Sequence, residues 1–260
     1  MIYWNGQLYN YLPFYSSVVT RGEALFETML FESGIIWFKE RHISRLIRSC
    51  GQLNFQVKPA IDLDSLVHIL NSGNIERARI KLILLNDPDL SIPYYFEIYP
   101  LALSNENNPI SLCSMFHPIS DKAFRSCKTI NYGSYFYLNS LAQKRGFSEV
   151  LFTDRDNYLL ETSIANIFGI RNNTLYTPTL SLGLLPGIIR EIFLEIFPVK
   201  EVEIHLEEIE QFDYFITTNS IREIRLVTRI NDVYFKPDNT DWISKTFEQY
   251  KQTYFKEHHQ

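Results

Sequence analysis

Cysteine is scarce: three residues, at positions 50, 113 and 127, are too few and too scattered for a disulfide frame or a thiolate metal knuckle. The expectation is a reduced, intracellular chain with no metal site. Long apolar runs are missing too, and none approaches the roughly 18 residues a membrane helix needs. The opening MIYWNGQLYNYLPF has no basic start followed by an apolar stretch, so a secretory leader is not expected and the location reads as cytoplasmic. Positive charge is not in excess, with a net charge of −5 and a pI near 5.7. That balance argues against broad binding to nucleic acid or anionic membranes. Neither G-x-G-x-x-G nor G-x-x-x-x-G-K-[ST] occurs, so the common phosphate loops are absent. There is no internal repeat and no low-complexity tract.

What is present is ordinary for a globular chain: 45% hydrophobic and 21% charged residues over a length that fits one large domain or two modest ones. Aromatics reach 15%, with 19 Phe and 16 Tyr. Strands are expected at Phe26–Phe31, Ile35–Phe38, Ala78–Leu85 and Tyr94–Leu101. A helix is expected over Lys39–Leu53, where Ile43, Leu46, Ile47 and Cys50 repeat at helical spacing, and another over Leu63–Leu70, stopped by Asn71-Ser72-Gly73. The polar stretch Ser104–Pro109 reads as a loop. The second half reads as a helix over Tyr135–Arg145, then strands at Val150–Thr153, Ile164–Ile170 and Thr174–Tyr176. A helix opens at Pro186-Gly187 and runs through Phe197, and strands follow at Phe212–Thr218 and Ile224–Val227. This mixture is α+β or α/β without doubly wound alternation. The domain change is placed between Pro118 and Cys127, giving an N-terminal domain 1–118 and a C-terminal domain 119–260.

Individual residues leave the chemistry open. Lys128, in Ser-Cys-Lys-Thr-Ile-Asn-Tyr, reads on its own first as one of the many solvated lysines, with a buried, imine-forming lysine as the alternative. Glu161 follows Leu159-Leu160 and precedes the apolar run from Ile164, so it needs a partner. That partner is either an arginine or a protonated heterocycle nitrogen. The start of the helix at Gly187 offers free N–H groups to an anion, as any helix start does. Arg45 lies beside the apolar stripe of the first helix. Thr217-Thr218-Asn219-Ser220 ends a buried strand, where hydroxyls often cap turns.

Taken together these residues carry a pattern. Glu161-Thr-Ser-Ile-Ala-Asn166-Ile-Phe, then Leu175-Tyr-Thr177, then Leu185-Pro-Gly187-Ile-Ile-Arg190 resembles the signature of the class IV aminotransferases, the fold-type IV pyridoxal-phosphate enzymes. Lys128 and Asn131 match the family's K-x-x-N segment, and Gly146 and Glu149 fall at the expected offsets. Gly22-Glu23-Ala24-Leu25-Phe26-Glu27-Thr28 is similar to its G-D-G-x-F-E-T, and His42-x-x-Arg45-Leu46 to its H-x-x-R-L. The resemblance runs over nearly the whole chain. It implies a two-domain α+β, D-amino-acid aminotransferase-like fold and a homodimer. It also implies a pyridoxal 5′-phosphate cofactor in the cleft between domains and an amino-acid-like small-molecule substrate. Lys128 would hold the cofactor as an imine and shuttle the Cα proton. Glu161 would pair with the pyridine nitrogen. Arg45, the N–H groups of Ile188 and Ile189, and Ser220 would hold the phosphate. Tyr132 matches a position that bonds the ring oxygen in some members. Asn166 belongs to the signature with a structural part.

The family includes branched-chain and D-amino-acid aminotransferases and 4-amino-4-deoxychorismate lyases, which release pyruvate and form the folate precursor 4-aminobenzoate. The short chain, F-E-T in place of F-E-G, and Thr218-Asn219-Ser220 favour the lyase. Asn86-Asp87 stands where many members carry R-G, which leaves the substrate-carboxylate anchor open. The alternatives are an amino-acid aminotransferase and an inactive protein that keeps the fold for binding.

Overall fold

The computed structural model describes residues 1–4, 6–10, 21–56, 60–102, 108–237 and 240–258. Most of the loop expected at Ser104–Pro109 lies outside them. The chain divides into two compact units, Met1–Asn105 with Cys127–Asn131, and Glu106–Ser126 with Tyr132–His258. This division departs from a break at 118/119 in two places. Ile110–Phe116 pairs in parallel with strands of the second unit, so that unit starts earlier in the chain. The segment carrying Lys128 groups with the first unit, because Thr129 bridges Leu25 and the Lys128 carbonyl accepts from the Phe26 N–H. No helix among the described residues is long and apolar enough to cross a membrane.

The first unit is an antiparallel sheet of six strands: β1 (Ile2–Trp4), β2 (Gln7–Tyr9), β3 (Ala24–Glu32), β4 (Ile35–Ile36), β5 (Arg77–Leu85) and β6 (Tyr94–Pro100), in the order β2-β1-β6-β5-β3-β4. The central pair β3 and β5 is in register from Ala24↔Leu85 to Glu32↔Arg77. Strand period two puts Leu25, Glu27, Met29 and Phe31 on one face. Leu25, Met29 and Phe31 join a core with Leu46, Leu66 and Leu70 of the helices α1 (Lys39–Gln52) and α2 (Leu63–Ser72). Asp62 caps α2 by accepting the Ser65 N–H at 2.9 Å, and Gly73 follows its end.

Helix α1 corrects the expected apolar stripe. Its buried residues are His42, Arg45, Leu46 and Ser49, while Ile47 is 61% exposed. The cause is Glu27, a carboxylate on the core face of β3. Leaving it unpaired would cost several kcal/mol (about 3–5), so the helix turns His42 and Arg45 inward to meet it.

The second unit is a nine-stranded sheet: β7 (Ile110–Phe116), β8 (Glu149–Thr153), β9 (Leu159–Thr162), β10 (Asn166–Arg171), β11 (Thr174–Pro178), β12 (Val199–Val202), β13 (Tyr214–Asn219), β14 (Glu223–Ile230) and β15 (Val233–Tyr234). Along β10-β13-β14-β7-β8-β9 the strands pair in turn, and β9 pairs back onto β10 through Glu161↔Asn166, closing a ring. The helices are α3 (Lys122–Arg125), α4 (Gly133–Lys144), α5 (Ile188–Ile196) and α6 (Asp241–His258). The expected strand Ile164–Ile170 starts two residues late. Ser163, Ile164 and Ala165 form the bend between β9 and β10, and Ile164 is 54% exposed. Thr162 Oγ1 fixes this bend by accepting from the Ala165 N–H at 3.0 Å and donating to the Ala165 carbonyl.

Candidate active site

In the first unit, Lys128 lies on the short segment that pairs beside β3. The Phe26 N–H donates to the Lys128 carbonyl at 2.8 Å, and the Ile130 N–H donates to the Ala24 carbonyl at 3.1 Å. Three positions on, Asn131 donates through Nδ2 to the Gly22 carbonyl at 3.1 Å. Gly22 has φ +77°, and a Cβ there would stand 2.1 Å from Asn131 Oδ1, so both its conformation and its closeness require glycine. The segment is therefore anchored on both sides of the lysine. Lys128 is half-buried, and its Nζ lies 4.4 Å from the centroid of the Phe26 ring. A cation in that position is attracted by the ring face.

Next to Phe26, Glu27 is a buried hub. It accepts from Arg45 Nε at 2.9 Å and Arg45 Nη2 at 2.5 Å, and it meets His42 Nδ1 at 2.7 Å. Burial alone would raise its carboxyl; the Arg45 charge and the bonds from His42 and Arg45 outweigh burial and bring it down to about 2. Burial also lowers His42, against the pull of Glu27, and the charges of Arg45 and Lys128 add to the lowering. A neutral imidazole that donates Nδ1–H to the carboxylate leaves Nε2 as an acceptor, and that nitrogen is buried with no hydrogen-bond partner among the described residues. Arg45, expected to reach a phosphate, thus gives Nε and Nη2 to Glu27. Asn86, at the position where many members have arginine, accepts the Gln56 N–H at 2.8 Å and so has a structural task.

In the second unit, Glu161 sits at the closure of the ring, 7% exposed. Its Oε1 accepts the Leu185 N–H at 3.0 Å, and its Oε2 accepts from Asn166 Nδ2 at 3.2 Å. Both donors are neutral amides, so they orient the carboxylate without cancelling its charge. Arg125 fastens the approach to Leu185 by donating to the carbonyls of Ile119, Leu182 and Gly183. Burial lowers the affinity of Arg125 for a proton, and the charge of Glu161 works against that lowering.

Beyond Leu185, Gly187 starts α5 with no side-chain cap, and Ile188 and Ile189 are each 1% exposed. The first N–H groups of a helix lack intrahelical partners, so a buried, uncapped start suits an anion. Direct register partners share a sheet face, which lines up Glu161, Asn166 and Thr218. Thr218 Oγ1 is buried without a hydrogen-bond partner among the described residues. This orphaned hydroxyl and the uncapped helix start fit a phosphate-bearing group. Ser220 lies in the turn after β13, half-buried. Asn219 Oδ1 ties that turn by accepting from the N–H groups of Ile221 and Arg222.

Tyr132 precedes α4, and its ring stacks on Tyr135 at 4.8 Å. The Tyr135 hydroxyl meets His117 Nε2 at 2.9 Å. Burial pushes His117 down to about 4 and pushes Tyr135 up, the latter with help from the Glu161 charge.

The structure thus groups Lys128 with Arg45 in one unit, and Tyr132, Glu161, Ile188, Ile189 and Ser220 in the other. Sequence reasoning named Glu27, His42 and Thr218 only as parts of motifs and gave them no role at the site. Glu27 had a readable signal, since it interrupts the apolar alternation Leu25-x-Glu27-x-Met29-x-Phe31.

Residues 24–230 match the family model for amino-transferase class IV. A Bacillus subtilis aminodeoxychorismate lyase is 26% identical over 239 residues, covering 82% of this chain and 80% of that protein. A Rickettsia felis protein, named provisionally as a branched-chain-amino-acid aminotransferase, is 27% identical over 235 residues, covering 84% and 79%. Among solved structures, a Legionella pneumophila protein named as a candidate 4-amino-4-deoxychorismate lyase superposes with a TM-score of 0.79 at 27% identity, covering 94% and 96% of the two chains. With the family match spanning most of its length and the signature residues placed as described, this chain belongs to the class IV aminotransferase family.

Proposed function

We propose that this chain is a pyridoxal 5′-phosphate enzyme of the 4-amino-4-deoxychorismate lyase type, releasing pyruvate and forming 4-aminobenzoate. The observation that carries the cofactor reading is the Glu161–Asn166–Leu185 cluster at the closure of the ring, followed directly by the uncapped start of α5. When bound, the cofactor supplies an electron sink for a carbanion at the substrate Cα.

The protein's own residues do the rest. Lys128 is the point of covalent attachment and moves the proton at Cα. Glu161 holds the ring nitrogen protonated. The N–H groups of Ile188 and Ile189, with Ser220 and Arg45, bind the phosphate oxygens. Tyr132 binds the ring oxygen. The working form is a homodimer.

Support for the lyase comes from F-E-T at Phe26–Thr28, from Thr218-Asn219-Ser220, and from the likeness to the B. subtilis and L. pneumophila proteins. The R. felis likeness, at the same level of identity, favours a second reading: an aminotransferase for amino acids. The two part company after proton removal at Cα. A lyase would break the bond from the neighbouring ring carbon to the pyruvate-bearing oxygen, and its product gains aromaticity, whereas in a transaminase Lys128 would return the proton at a different carbon and the substrate would give up its amino group. Purified protein offered aminodeoxychorismate should release pyruvate and 4-aminobenzoate. Inertness toward it, together with turnover of amino acids and 2-oxoglutarate, would establish the transaminase.

A further inference from the structure

We propose that Asn166 is a positioning residue that locks Glu161 and the start of α5 into one rigid piece, so that the ring-nitrogen end and the phosphate end of the cofactor are gripped at a fixed spacing. The inference deepens the cofactor reading above and rests on it.

The geometry is a closed loop of contacts. Asn166 Nδ2 donates to Glu161 Oε2 at 3.2 Å and to the Leu185 carbonyl at 2.9 Å. The Leu185 N–H returns to Glu161 Oε1 at 3.0 Å. Asn166 faces Glu161 across the β9–β10 closure and is itself 4% exposed. Its remaining atom, Oδ1, is pressed against Gly187, where a Cβ would stand 1.9 Å away. The Nδ2 group of one amide thus bonds to two distinct acceptors while its oxygen packs against Gly187, and these contacts join three elements: β9, β10 and the entry to α5.

The side-chain chemistry is restrictive. Aspartate would lose both donors and set a second carboxylate against Glu161. Serine would reach one acceptor at most. Gly187 is glycine because Asn166 needs the space beside its Cα; its φ of −71° is open to any residue. The two positions therefore act as a pair, and the strength of that pairing is measurable.

The test uses full-length protein with N166A, N166D, G187A, the double variant N166A/G187A, and E161Q. Three quantities are read: the dissociation constant for pyridoxal 5′-phosphate, the pH dependence of the bound cofactor's visible absorbance, and the melting temperature without cofactor. N166A should weaken cofactor binding by about tenfold, within the range for residues that orient a ligand-holding group. It should also shift the pH at which the visible band changes, as E161Q does. Pyridoxal, which lacks the phosphate, should lose less affinity than pyridoxal 5′-phosphate. N166D should exceed N166A in every readout.

The decisive arm is the pair. G187A alone drives a methyl into Asn166, whereas in N166A/G187A that obstacle is gone. The double variant should therefore bind more tightly than G187A, a strong departure from additivity. If N166A folds too poorly to assay, N166S and the melting temperature of the pair against G187A carry the same comparison. A lowered melting temperature with unchanged cofactor affinity and pH profile would overturn the inference, as would a double variant equal to the sum of its singles. A silent E161Q, or no cofactor binding by the unaltered protein, would instead overturn the cofactor reading beneath it.

Discussion

Among the buried glutamates of this chain, Glu27 in the first unit and Glu161 in the second are bonded by different kinds of donor. Glu27 is met by a charge: two nitrogens of the Arg45 guanidinium, with the neutral ring of His42 donating beside them, close on it and hold it ionised down to about pH 2. Glu161 receives hydrogen bonds from the neutral amides of Leu185 and Asn166, which aim it while preserving its negative charge. A carboxylate cancelled by a buried cation serves the fold, because removing it strands that cation. A carboxylate aimed by amides keeps its capacity to stabilise a positive charge on a bound ring.

The largest effect that would test this contrast is on stability. Glu27→Ala should cost about 3–5 kcal/mol in denaturant unfolding, since Arg45 and His42 stay buried without their anion. A loss below about 1 kcal/mol would dissolve the distinction between the two glutamates.

The next concerns pH. His117 is neutral and held by uncharged groups, the Ile119 backbone and Tyr135, and burial lowers it from 6.5 to about 4. Its folded-state affinity for protons is depressed, so the unfolded chain binds more protons between those values. Its stabilising contribution is complete above pH 6.5 and is lost as pH falls toward 4, amounting to about 3 kcal/mol. His42, also pushed down by burial, adds in the same direction. Unfolding free energies measured from pH 7 to 4 should fall less steeply in His117→Asn than in the unaltered protein. Equal slopes would contradict the neutral, buried imidazole.

Smaller still is the stability effect of Glu161→Gln, about 1–2 kcal/mol, because the amide oxygen can still accept from Leu185. Turnover should nonetheless fall by about 10²-fold, because a neutral partner does not keep the ring nitrogen protonated. Large stability loss with intact turnover would exchange the parts assigned to the two glutamates. The smallest effect is at Ile47, on the outer side of α1: Ile47→Lys should change stability by no more than about 0.5 kcal/mol.

That last residue marks where the sequence misleads. Helical spacing located α1 to within a residue at either end, yet it assigned Ile47 to the core. Periodicity weighs side chains by hydrophobicity, and it had no means to see that Glu27, distant in sequence, demands His42 and Arg45 as partners. The same blindness to long-range pairing hid β7, whose neighbours β8 and β14 lie far along the chain, and the pairing of the Lys128 segment beside β3. Helix α6, with scattered polar residues and few buried ones, offered little contrast to read. The second-unit site was far more legible. Glu161, Asn166 and Gly187 lie within 27 residues of chain, and their spacing reflects contacts that one strand closure and one helix entry impose locally.

The central claim is that Lys128 bonds covalently to the cofactor. Protein loaded with pyridoxal 5′-phosphate, reduced with borohydride, digested and analysed by mass spectrometry should carry the cofactor on the peptide containing Lys128, and Lys128→Ala should abolish both that adduct and the visible absorbance. An adduct on another lysine, or none on the unaltered protein, would contradict the account.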